Sequence, residues 1–507
     1  MRQPGPLPLV LLLGALVLLA GCNAVPIGAQ EVGGSVAAND SLAANASVTD
    51  PGTDRQGWER GFWYDESLAI TTADGLNDSE LDAVVARAMA RVEHVRGVEF
   101  ERPVPVELVT RSEYRNSTMS GAGASSGDGS ASATQQAAAA EQAAQFEALF
   151  LVGEAGDAGQ QQSENRGSTV QGYYDTRQDR IVIVSKNDPP RPNEVTLAQE
   201  LYHAYQFRQV LASTPVPRNM NDDQVRGVLS LVEGDANFVD RLYEQQCEAS
   251  WECLRDEDAR QAGDEGGEGA ASTGDDSTPS IHMGLYLLSY FPYAEGEELI
   301  QDTYAESGWE GVDRLYEAPP LSSAQVIEQD LDSDSSLVQA PDRSSAAWER
   351  VDSGPPGRTV GEAGIATMFA YTIYDDRNAS LVSRDDFLNT GPDGSVNSTN
   401  PLDYGLPESD GWAGDTLYTY RNGDQTGYVW HTTWETRGDA RQFADAYERL
   451  LGYHDAEQVD ENTFLILEGP FADAFRVTVD GKRVTIVNGP APSTLSGIHD
   501  GAANATA

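Results

Sequence analysis

Acidic residues outnumber basic ones 81 to 33 in this 507-residue chain, so whatever it folds into must carry a formal charge of −48. A field of that sign repels phosphate backbones and excludes nucleic acid as a partner. The acids are spread along the chain rather than gathered in a tail. Lys186 and Lys482 are the only lysines, so arginine supplies almost all the positive charge. This pattern reads as a salt-adapted surface, as in halophilic archaea. Many carboxylates keep a protein hydrated in concentrated salt, where screening removes most of the self-repulsion. Apolar residues at 39% and 20 tyrosines are enough for packed cores. The length predicts two or three folded units.

The N-terminus predicts the location. Arg2 precedes an apolar run, Leu7 to Leu19, which is short for a bilayer span. It ends in Leu19-Ala20-Gly21-Cys22, which resembles a lipobox. Residues 1–22 are therefore expected to be a lipoprotein signal peptide, with Cys22 the lipid-modified first residue of the mature chain. Residues 23–55 are small and polar and read as a flexible tether. The expected location is the extracellular side of the cell membrane, with the membrane engaged through the lipid. Only Cys247 and Cys253 remain. In an oxidising compartment this close pair predicts a disulfide; a two-thiolate metal site is the alternative.

Periodicity along the chain predicts an α+β protein. A helix capped by Asn77 or Asp78 carries Leu81, Val84, Val85, Ala88, Met89, Val92 and Val95 at helical spacing. Val104–Val109 reads as a strand, and Tyr173-Tyr174 with Ile181–Val184 as a strand pair. Helices are expected at about 194–212 and 223–246, with a helical region from Ile281 to about Tyr316. Residues 56–331 form the first domain, with low-complexity insertions near 117–170 and 255–278. Residues 332–360 read as a linker, and 361–495 as a C-terminal α+β domain. There Asn422-Gly423 and Asp480-Gly481 signal hairpins whose central residues need positive φ.

One constellation carries chemistry. The helix at 194–212 contains Gln199-Glu200-Leu201-Tyr202-His203, and the next contains Glu233-Gly234-Asp235. Positions 199 and 203 lie one turn apart on one face. A zinc peptidase would place histidine ligands at 199 and 203, a general base at 200 and a third ligand on the following helix. Here the first histidine is Gln199. The other histidines, His94, His282, His431, His454 and His499, have no ligand spacing. The bland reading makes His203 and Glu233 a structural pair across two packed helices. Gly234 then allows close approach, and Asp235 either orients His203 or faces solvent.

With these residues the chain resembles the zincin metallopeptidases with a glutamate third ligand. More closely, it resembles a family of haloarchaeal surface lipoproteins of uncharacterised function that carry a zincin-like domain. The resemblance runs through Tyr173–Val184, Leu197–Gln206, Leu231–Cys253, Tyr290–Gln325 and Gly411–Leu451. It implies a zincin-like domain in which a strand pair is followed by two site-bearing helices. It aligns Glu200 with the general base, and His203 and Glu233 with the second and third metal ligands. Gln199 stands at the first ligand position, and Glu328 stands where the family has a histidine. An amide oxygen binds zinc far more weakly than imidazole. The expectation is a lipid-anchored surface protein with a degenerate, inactive zincin-like domain used for binding or as a scaffold. No resident cofactor is expected; Zn²⁺ is the metal if the site still holds one. Envelope proteins or peptides are the expected partners. One alternative is an active metallopeptidase that tolerates Gln199 or recruits Asp235 as a ligand. Another is a cell-envelope adhesion or structural module built on the C-terminal domain.

Overall fold

The computed structural model describes residues 53–70, 75–124, 132–255, 281–333, 338–354, 357–375, 377, 379–391, 394–397 and 400–502. The signal segment with Cys22, almost all of the tether and of the acidic loop 255–278 lie outside these residues. Among the described residues no helix is long and apolar enough to cross a membrane.

Two short strands, β1 (Trp58–Glu59) and β2 (Phe62–Trp63), pair ahead of helix α1 (Asp78–Arg96). Asn77 starts α1 by accepting the N–H groups of Ser79 and Glu80, and Glu80 returns the bond to the Asn77 N–H. Such a capping box satisfies donors that the first turn otherwise strands. Gly97 ends the helix in the left-handed region, φ +78°. A three-stranded sheet follows, built from β3 (Val106–Thr110), β4 (Gly172–Asp175) and β5 (Arg180–Ser185) in the order β3-β5-β4. β3 runs parallel to β5 and β4 antiparallel to it.

Between β3 and β4 the chain forms three helices, α2 (Arg111–Ala124), α3 (Ala133–Ala148) and α4 (Ala158–Thr169). The composition here suggested an insertion loop ending in a short Ala/Gln helix. Instead the end of α3 and the segment after it enter the core, with Phe146, Leu149, Phe150 and Leu151 all buried.

The next helices are α5 (Glu194–Tyr205), α6 (Asp222–Ala249), α7 (Met283–Glu317, broken at Gly308) and α8 (Ser323–Ile327). α5 ends in a π-helical turn, Gln206–Val210. α6 and α7 cross through glycine. A Cβ on Gly234 would sit 2.2 Å from the Gly296 backbone, and one on Gly296 would sit 2.1 Å from the Ser230 carbonyl oxygen. The Cys247–Cys253 disulfide forms, with 5.6 Å between Cα atoms, and ties the end of α6 to the loop beyond it.

The C-terminal part carries β6 (Glu349–Arg350), helices α9 (Gly361–Ala370) and α10 (Arg384–Phe387), and strands β7 (Trp412–Asn422) and β8 (Gln425–Trp434). Helix α11 (Arg437–Tyr453) follows, then β9 (Glu457–Asp460), β10 (Thr463–Leu465), β11 (Ala474–Asp480), β12 (Arg483–Gly489) and α12 (Leu495–Ile498). The strands make an antiparallel sheet in the order β6-β7-β8-β12-β11-β10-β9. Both expected hairpins form, one residue out of phase with the expectation. Asn422 pairs with Gln425 and Asp480 with Arg483, so Gly423 and Gly481 are the first loop residues, at φ +63° and +65°. Only the glycine of each turn has positive φ, as a II′ turn requires.

One hydrophobic core runs from Val84 to Ile486 through both parts of the chain. Two buried carboxylates brace this core, and the second joins the two parts. Asp415 on β7 accepts the N–H groups of Val360 and Gly361, at 2.9 Å each, and of the Trp430 indole. Asp223 on α6 accepts the Ser323 hydroxyl at 2.6 Å, and that oxygen accepts the Ala363 N–H on α9. The segment read as a linker supplies β6 and the buried Trp348.

Gly234→Ala should cost about 3 kcal/mol, because the added methyl meets backbone on α7 that has no rotamer with which to yield. Urea unfolding at constant salt measures this, and a loss well under 1 kcal/mol would refute the glycine crossing.

Candidate functional site

Helix α5 is buried along nearly its whole length, yet it carries Glu194, Gln199, Glu200 and His203 and leads into Gln206. Each buried polar group must find a partner or destabilise the fold. Glu194, in the first turn, meets two guanidinium groups from α1. Arg87 donates to it at 2.9 Å and Arg91 at 2.6 Å. The Tyr243 hydroxyl and the Leu254 N–H add to the cluster. Leu254 directly follows Cys253, so the disulfide holds the loop that caps this end of the helix.

The face that sequence spacing singled out lies one to two turns further on. His203 Nε2 lies 3.2 Å from Glu233 on α6, and both residues are buried. On the other side of the ring, Nδ1 lies 2.8 Å from Gln206 Oε1. Gln206 spends its amide hydrogens on the Val232 carbonyl (2.9 Å) and the Tyr316 hydroxyl (2.8 Å). Its oxygen must therefore accept, and Nδ1 carries the hydrogen. Burial opposes charge on this imidazole. The Glu233 carboxylate, with Glu200 and Gln206 adding to it, outweighs burial and pushes the pKa up to about 9. Raised that far, the imidazole carries its charge at neutral pH, facing Glu233.

Gln199, one turn before His203, donates its amide to Asn237 Oδ1 at 2.7 Å, and Asn237 donates in turn to the Tyr293 carbonyl. Glu200 is buried beneath the sheet edge. A Cβ on Gly172 of β4 would lie 3.1 Å from the Glu200 Cγ.

Asp235 does neither of the things expected of it. Its carboxylate accepts Arg96 Nε at 3.1 Å, the Tyr202 hydroxyl and, at 3.0 Å, the Tyr316 hydroxyl. It reaches His203 only through Tyr316 and Gln206. Arg96 continues outward to Asp313 at 2.7 Å, with its guanidinium over the Trp309 ring, 4.2 Å from the centroid. The result is a buried polar chain from Glu233 through His203, Gln206, Tyr316 and Asp235 to Arg96. Committed in this way, Asp235 cannot serve as a substitute metal ligand.

These residues do not fit a zinc centre. Among the described residues no three His, Cys, Asp or Glu side chains converge as a metal site requires. Gln199 presents an amide whose N–H is committed to Asn237. No hydrolytic step through a metal follows from this arrangement. The structure places His203 against Glu233 with Glu200 close enough to act on the imidazole, and turns Gln199 to Asn237. Sequence reasoning missed Arg96, Gln206, Asn237 and Tyr316, which lie on other elements or beyond the motif. Asn237 and Gln206 do carry a faint signal: each is a polar residue at i+4 or i+3 from a site residue on the same helix.

Residues 349–499 match a family model described as a domain of unknown function, DUF8575. The match spans the seven-stranded sheet with α9 and α11 and ends short of the helix pair that bears His203 and Glu233. No curated protein and no solved structure matches the chain.

Stability from the His203–Glu233 pair is fully present below the ordinary histidine value of 6.5 and is lost as pH rises through about 9. Glu233→Gln should cost about 3 kcal/mol or more and bring the His203 titration down, because burial then meets less opposition. Imidazole C–H chemical shifts followed against pH measure it. A His203 that still titrates near its wild-type value in the variant would refute the ion-pair account.

Proposed function

We propose that this chain is a lipid-anchored extracytoplasmic surface protein whose helix pair is a degenerate zincin-like centre, inactive as a peptidase and retained as the frame of a binding or scaffold domain. The observation that carries the reading is the amide pair. Gln199 stands at the first-ligand position with its N–H on Asn237, while His203 Nε2 faces Glu233 at 3.2 Å. Groups that would converge on a metal in an active relative are turned to each other and to Gln206. The polar interior persists because it holds α5, α6 and α7 in register. The lipobox-like Leu19–Cys22, the acidic composition and the disulfide support placement outside the cell in a salty medium. The C-terminal sheet, as the region with family relatives, is the part that would meet envelope proteins or peptides.

The mature protein purified in high salt should hold well below one zinc per chain by elemental analysis. It should cleave no peptide mixture in a chelator-sensitive way. Stoichiometric zinc with chelator-sensitive cleavage would sink the inactive reading. The variant Gln199→His should gain zinc if the helix pair keeps zincin geometry; no gain would mean that the alignment of the pair is wrong. For the anchor, Cys22→Ser should move the protein from the membrane fraction to the medium, and retention in the membrane would refute lipid attachment at this residue.

A further inference from the structure

Spacings of three and four residues put Glu295, Glu298 and Asp302 on one face of α7. Residues 400–404 of the C-terminal part run against that face. Tyr404 donates its N–H to Glu295 Oε1 at 2.8 Å, and its ring meets Phe291 edge-on with centroids 5.1 Å apart. One turn further along α7, the Asn400 amide donates to Glu298 Oε2. Asp403, beside Tyr404, accepts the Gly405 N–H at 2.8 Å. Asn389 holds the far side of the segment. Its side-chain amide donates to the Leu402 carbonyl at 3.2 Å, and its backbone N–H donates to the Pro401 carbonyl at 3.1 Å.

This seam is unbalanced in two ways. It gathers Glu295, Glu298, Asp302 and Asp403, and among the described residues no basic side chain pairs with any of them; Arg241 goes instead to Glu297, 2.9 Å away on another side of the helix. Independently, Asn400 is only 8% exposed, and its amide oxygen is buried without a hydrogen-bond partner. An orphaned buried acceptor is costly unless something fills its lone pairs. The oxygen and nitrogen of one amide share a carbon. An ion on the Asn400 oxygen is therefore also within reach of the Glu298 carboxylate that the nitrogen touches.

We propose that this seam is a calcium site, with Asn400 Oδ1 and the Glu298 carboxylate as ligands, Asp302 and Asp403 supplying further negative charge, and water completing the shell. No three carboxylates converge here, and calcium does not need them to. It takes about six to eight oxygens in flexible geometry, amide carbonyls and waters among them, whereas magnesium demands a near-ideal octahedron and zinc prefers nitrogen and sulfur. The ion clasps α7 to the segment 400–404 and so ties the two parts of the chain together. The site shares no residue with the His203–Glu233 pair, so it stands or falls independently of the zincin-like reading.

Amide hydrogen exchange of the full mature chain tests it, with chelator-treated protein compared before and after addition of calcium chloride at constant monovalent salt. Peptides covering 295–302 and 400–406 are read, with β7 and β8 as the internal reference. A dissociation constant of about 1 mM or tighter, the range of extracellular calcium modules, is expected. At 10 mM calcium the local opening of both peptides should then fall about tenfold. Glu298→Gln, at an exposed position, and Asn400→Ala should each reduce that protection to below about twofold; Glu298→Gln decides the matter should Asn400→Ala fail to fold. Protection below about twofold in the wild type would mean that water alone fills the seam, which overturns the site. Protection that persists in the folded variants overturns it too. So does equal protection by magnesium, because that marks screening of an acidic surface.

Discussion

Helix α5 and the turn after it must satisfy Glu194, Gln199, Glu200, His203 and Gln206 in a place where water cannot. That requirement organises the structure around it. Glu194 draws Arg87 and Arg91 from α1. His203 draws Glu233 from α6, and Gln206 draws Tyr316 from α7. Each contact lies on a different neighbour, so the three helices are located by hydrogen bonds as well as by packing. A hydrophobic face alone tolerates sliding, whereas a buried charge does not. The π-helical turn after Tyr205 belongs to the same device, because it carries the Gln206 amide that fixes the histidine tautomer. Such turns recur at functional sites.

The acidic balance of the chain looks different once folded. A charge of −48 reads as a solvated surface, and much of it is. Yet Glu194, Glu233, Asp235, Asp415 and Asp223 are buried and act as acceptors that tie elements together. Arginine answers Glu194 and Asp235. Its planar, forked guanidinium can serve a carboxylate and an aromatic face at once, as Arg96 does with Asp235 and Trp309. The near-absence of lysine therefore has an interior counterpart as well as a surface one.

Much of this was legible in the sequence because it is local. The Asn77 capping signal, the α5 and α6 spans, the strand pair before them and the two glycine hairpins follow from capping chemistry, apolar spacing and turn residues within a few positions. The pairing of His203 with Glu233 was legible for a related reason: helical geometry fixes which residues share a face, and the motif named the partner helix. The reading of residues 117–145 as an insertion loop failed because alanine, glutamine and glycine say little about burial. The end of α3 is buried because Phe150, just beyond it, finds an aromatic seat more than 300 residues further along the chain.

By itself the sequence determined the mixed α and β class, the position of the helices that bear His203 and Glu233, and the polar residues on the face of α5. Those depend on residue type and short-range geometry. Only the tertiary structure decided what those polar residues bond to. The Gln199 amide goes to Asn237, Asp235 goes to Arg96 and two tyrosines, and His203 is clamped between Glu233 and Gln206. A hydrogen bond is chosen by distance and by what else competes for the atom. Both are set when α1, α6 and α7 close around α5, and neither is written in the spacing of the motif.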